Sequence, residues 1–186
     1  MSHESHITRY DVMPIPPIAE HTEYFEAGAV RIGVEYRLLN DAIAAATTVG
    51  AASADVSSKE MHFNDCGVSL HVFGSDGDDS PEREHLRFDC FDEDPHYHYV
   101  SWDVPANEVL HLDPIADGDP LAWSLERIRT RLPQMLERAG AAKLAARLDA
   151  GALEAALPRV AEAAYRLRYH HDDEATLSAA LAGGSA

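Results

Sequence analysis

The stretch from residue 85 to residue 112 leaves the chain little choice of fold. Residues 85–91 (HLRFDCF), 96–102 (HYHYVSW) and 107–112 (NEVLHL) alternate polar and apolar positions, and only Asp92-Glu93-Asp94-Pro95 and Asp103-Val104-Pro105-Ala106 separate them. Alternation with a period of two marks a strand with one buried face. Four-residue connections rich in Asp and Pro turn a chain straight back on itself. Strands so joined pair antiparallel, because a parallel crossover needs a dozen or more residues.

Two more segments extend this meander. Residues 29–39 (AVRIGVEYRLL) set Val30, Ile32, Val34, Tyr36 and Leu38 on one side and Arg31, Glu35 and Arg37 on the other, and residues 67–73 (GVSLHVF) read as a further strand. The expectation is a sheet of about four to five strands, at 29–39, 67–73, 85–91, 96–102 and 107–112. Between the first two, Asn40-Asp41 predicts a cap for a short helix at 41–49, followed by a Gly/Ala/Ser loop at 50–58.

Beyond Leu112 the period changes. Asp119-Pro120 places a cap before a proline at the first helical position, and Leu121, Leu125, Ile128, Leu132, Met135 and Leu136 follow at helical spacing. Pro133 is expected to kink or split this helix and Gly140 to end it. A short helix at 142–149 and a longer one carrying Leu153, Leu157, Val160, Ala164 and Leu167, interrupted at Pro158, complete the pattern. Strands followed by helices predict an α+β fold with the helices on one face of an antiparallel sheet. The implied organisation is an extended Pro-containing arm at 1–27, a single domain at 28–169 (sheet in 28–113, helices in 119–169) and a tail at 170–186.

Composition excludes several functions. Across 186 residues the formal net charge is −17, which repels phosphate backbones, so no nucleic-acid partner is expected. No apolar run approaches the ~20 residues that span a bilayer, and residues 1–18 lack the basic start and apolar core of a secretory signal. Cys66 and Cys90 are the only cysteines, too few for a disulfide framework. A cytoplasmic protein is the expectation, and the Ala/Arg/Leu-rich helices have the look of a high-GC bacterial chain.

Histidine is the unusual residue, with eleven in the chain. With turns at 92–95 and 103–106, Asp89 faces His98 and His98 faces His111; a free register for the first strand allows His71 to face Asp89. That row, with His96 two residues from His98 on the same face, gathers side chains about 5 Å apart at Cβ. Imidazoles beside a carboxylate suit Zn, Fe or Mn, so His71, Asp89, His96, His98 and His111 are the candidate ligands. Asp89 and His98 alone form a candidate acid–base pair. His96-x-His98 followed by Asp103 resembles part of the cupin metal motif. The expected upstream glycine, the glutamate in the Asp103 slot and the second motif are missing.

Other motifs are weaker. Asp76, Asp78 and Asp79 suggest a calcium loop, but Pro81 and Arg87 stand where an EF-hand needs Gly and Glu. Cys66 lies four residues after His62, and Cys90 alternates with Leu86 and Phe88 as a core residue would. Two functions are therefore expected. The first is a small acidic non-catalytic accessory or assembly module that binds another protein chain or itself, with the Pro-rich arm reaching the partner. The alternative is a metal-dependent enzyme or metal-binding protein built on the His/Asp cluster.

Overall fold

The computed structural model describes residues 7–39, 65–77 and 79–183, with side chains through residue 171. Among these residues the sheet has seven strands: β1 (Ile7–Tyr10), β2 (Thr22–Ala27), β3 (Val30–Leu38), β4 (Cys66–Gly74), β5 (Arg83–Phe91), β6 (His96–Ser101) and β7 (Ala106–His111). They lie in the order β1-β7-β6-β5-β4-β3-β2, and every neighbouring pair is antiparallel. Three helices follow: α1 (Pro120–Arg138), α2 (Ala142–Ala146) and α3 (Ala150–Gly183). The α+β class and antiparallel sheet are as expected, and the strand count is larger. Both added strands, β1 and β2, come from the segment read as an arm. Neither has the alternation that marks a half-buried strand, since all four residues of β1 are exposed. The expected helix at 41–49 and loop at 50–58 lie outside the described residues.

The helices start and stop where the local chemistry dictates. Asp119 caps α1, its Oδ1 accepting from the Ala122 N–H at 2.7 Å, with Pro120 at the first helical position. Gly140 follows α1 with φ +87°, the left-handed turn that favours glycine. Pro133 and Pro158 both sit inside continuous helices, so neither splits its helix, and α3 runs on into the segment read as a tail, as far as Gly183. No helix of the described residues is long and apolar enough to cross a membrane.

One face of the sheet carries Val30, Ile32, Val34, Val68, Leu70, Val72, Leu86 and Phe88, and packs against Leu121, Ile128, Leu132, Leu136, Leu153 and Val160 of the helices. Apolar burial there supplies the main driving force of folding. The other face is polar yet equally enclosed: Glu35, Arg37, Ser69, His71, Glu84, Arg87, Asp89, His98 and Asn107 are all buried. Residues 11–21 link the two opposite edge strands and lie on this polar face at β3. The carbonyls of Ile15 and Pro16 accept from Arg37 Nη2 at 2.9 and 3.4 Å, and the Ile18 N–H donates to Glu35 Oε1 at 3.1 Å.

Buried charges persist only where they are paired. Arg87 grips Glu84 with two parallel bonds of 2.8 and 2.7 Å, His71 Nδ1 lies 2.6 Å from Glu84 Oε1, and Arg37 reaches Glu35 at 3.0 Å. His71 Nε2 sits 3.3 Å from Glu35 Oε2 without hydrogen-bond alignment. Burial alone would raise both carboxyl groups. For Glu35 the contact from His71 and the charge of Arg37 outweigh it; for Glu84 the charges of Arg87 and His71 do the same, and both groups are held below the usual carboxylate range. A depressed folded pKa contributes stability that is complete above the unfolded value, about 4.3 for Glu, and is withdrawn as pH falls toward the folded one. Urea midpoints should therefore begin to fall as the pH drops through about 4.3 and go on falling below about pH 3; an unchanged midpoint at the acid end would contradict this account.

Candidate metal centre

The site grows from the pairing of β5, β6 and β7. Each register is shifted by two residues from the expectation: Asp89 lies opposite His96, His96 opposite His111, and Ser69 rather than His71 opposite Asp89. For β5–β6 and β6–β7 the causes lie at the turns. Pro95 has no N–H to give to the ladder, and the backbone N–H groups of Glu93 and Asp94 donate instead to Asp65, at 3.1 and 3.0 Å. At the next turn Trp102 leaves the strand, because its indole N–H donates to the Glu84 carbonyl at 2.8 Å and Arg83 covers its ring. A shift of two keeps every side chain on its face, whereas a shift of one would have dispersed the group.

Asp89 is the centre. The Ser69 hydroxyl donates to its Oδ1 at 2.5 Å. Its Oδ2 faces two imidazole nitrogens, His98 Nε2 at 3.0 Å and His96 Nε2 at 3.4 Å. The far side of each ring is fixed. His96 Nδ1 lies 2.7 Å from the Asp94 carbonyl, which can only accept, so that nitrogen carries a proton. His98 Nδ1 likewise donates to Asn107 Oδ1 at 2.8 Å. Asp89 Oδ2 can also only accept, so the His98–Asp89 hydrogen bond needs a proton on Nε2; a cation binding there would displace it and meet a lone pair from each ring. Burial opposes the ionisation of Asp89, but the hydrogen bonds from His96 and His98 and the charge of Arg87 hold its carboxyl well below the usual range. Burial also opposes charge on His96, yet contact with Asp89 outweighs it and raises that pKa; in His98 burial dominates and lowers it.

Asp89, His96 and His98 each present a ligand atom within 4.8 Å of the others. Asp94, His96 and His111 form a second such group, with His111 Nδ1 2.7 Å from Asp94 Oδ1 at the surface. Thus the structure gathers four of the five candidate ligands into two groups that share His96, and brings the candidate pair Asp89–His98 into hydrogen-bond contact. It places His71 elsewhere, opposite Arg87 and between Glu35 and Glu84. Three participants were not singled out from sequence: Ser69 and Asn107, which have no spacing signal, and Asp94, hidden in a turn whose composition already explained it.

The weaker motifs resolve simply. Asp103 is exposed in the β6–β7 turn, away from the imidazoles it would need. Asp76 accepts from the Leu144 N–H at 2.8 Å and so anchors α2; Asp78 lies outside the described residues, as does His62. Cys90 Sγ packs 3.4 Å from Ser124 Oγ, and burial pushes its thiol up to about 12, too high for a thiolate nucleophile near neutral pH.

Fold and site together define an α+β protein whose antiparallel sheet encloses a His/Asp cluster on its polar face. A family model described as a domain of unknown function, DUF7700, matches residues 24–164, and the chain belongs to that family. No curated protein and no solved structure matches the chain.

Proposed function

We propose that this is a metal-binding protein that holds one divalent ion of the Zn, Fe or Mn class through Asp89 Oδ2, His96 Nε2 and His98 Nε2. One observation carries the reading: both imidazoles give Nδ1–H to an oxygen acceptor and turn Nε2 onto the same carboxylate oxygen. Metal-binding histidines are held in this way, since the outer hydrogen bond fixes the tautomer and aims the ligand nitrogen. Two imidazoles and a carboxylate leave coordination positions for water to complete. The test is elemental analysis of the untagged full chain by inductively coupled plasma mass spectrometry after dialysis. About one ion per chain is expected; a metal-free protein that also fails to take up added Zn, Fe or Mn would refute the reading.

An assembly role rests on a different feature. Among the described residues β1 is an edge strand with its outer ladder unpaired, and Ile7, Tyr10 and Val12 are exposed there. Such an edge is a template for another strand. Light scattering on the same sample tests it: the reading requires a mass above the monomer that falls in Tyr10→Lys, and a monomer at high concentration would oppose self-assembly.

A further inference from the structure

The inner group is nearly closed. Side-chain exposure is 5% for Asp89 and 8% for His98, so a hydrated ion has no open approach to it. The outer group is the reverse, with Asp94 at 58% and His111 at 43%, and the shared His96 stands between them at 16%. Asp89, His96 and His111 are direct cross-strand neighbours on β5, β6 and β7, so the row runs from the sheet interior toward its edge. The rings are close enough to hand over a ligand: His96 and His98 centroids are 4.9 Å apart, and His96 and His111 5.7 Å.

His96 decides how the two groups relate. Its Nδ1–H is held by the Asp94 carbonyl, and a neutral imidazole then has one lone pair left. It can complete the outer group or the inner group, but not both at once. The Asp94–His111 pair is exposed, and a pair of that kind adds little to stability.

We propose that Asp94 and His111 form an entry position for a divalent cation, from which His96 passes the ion inward to Asp89 and His98. This rests on the metal reading above. A partly hydrated ion binds first to the exposed carboxylate and imidazole and exchanges waters for protein ligands one at a time. His96 then carries it across as the outer ligands let go. No covalent bond between heavy atoms is made or broken and His96 Nδ1 keeps its proton; the protons that His111 Nδ1 shares with Asp94 and His98 Nε2 with Asp89 leave to water as the ion takes those positions.

The test measures Co(II) uptake by the metal-free full chain, followed by stopped-flow absorbance, with affinity from chelator competition. The variant is Asp94→Asn with His111→Ala, which spares the Asp94 carbonyl that orients His96. Uptake and release are both expected to slow by about tenfold or more, as loss of an electrostatic capture point predicts, while the equilibrium affinity for one ion is unchanged. An unaltered uptake rate overturns the entry route. So does loss of affinity in this variant with retention in His98→Ala, which would make the outer group the true site. If the wild-type chain takes up no Co(II), both readings fall. If it binds Co(II) through His98 and the double variant loads at the wild-type rate, only the entry route falls.

Discussion

Arg87→Ala is expected to cost about 3–5 kcal/mol of folding stability, the penalty for leaving a buried charge without its partner. Arg87 is buried at 2% exposure, and both its bonds to Glu84 are short and parallel, the geometry only a guanidinium gives to a carboxylate. Without it the Glu84 carboxylate keeps His71 alone, in a place largely shielded from water. Arg87→Lys should recover little, because a point charge cannot make the paired contact. Urea unfolding at neutral pH measures both. A loss below about 1 kcal/mol in the alanine variant would mean the network contributes far less than its burial implies.

Asp89→Asn and His98→Ala should each lower divalent-metal affinity by a hundredfold or more, and Asn107→Ala by about ten- to a hundredfold, the range seen when only the outer partner of a ligand is removed. The order follows from contact. Asp89 Oδ2 is the atom on which both imidazoles converge, and Asn107 acts only through His98 Nδ1. Asp89→Asn keeps the size of the side chain and its contact with Ser69, so the fold should persist and the affinity change can be read alone. Competition titration with a chromophoric chelator gives the numbers. Equal affinity in the wild type and Asp89→Asn would remove Asp89 from the site.

Much of this arrangement is legible in the residues. Period-two alternation gives β3 to β7 and sorts Asp89, His96, His98 and His111 onto one face, and that sorting survives the register shift because the shift is even. Three things lie beyond such reading. The exact partners depend on Asp65 and Trp102, whose contacts with Glu93, Asp94 and Glu84 are tertiary and set the ends of the ladders. β1 and β2 carry weak patterns, since one is wholly exposed and the other mixes exposed and buried positions without strict order. Alternation also says that Glu35, Arg37, Asp89 and His98 share a face but not whether that face meets water. A polar face usually does; here residues 11–21 lie on it at β3, and the charges turn inward to one another.

The pairing of β1 with β7 has a consequence in time. Ile7 meets Leu110, and Tyr10 meets Asn107, so about a hundred residues must be gathered before this ladder can close. On a ribosome β1 emerges before the other described strands and waits for β7 until nearly the whole sheet has been synthesised. The first of the described strands to be made is therefore among the last to dock. Its amide hydrogens should be the first to exchange with solvent in the finished molecule, and its edge the place where unfolding begins.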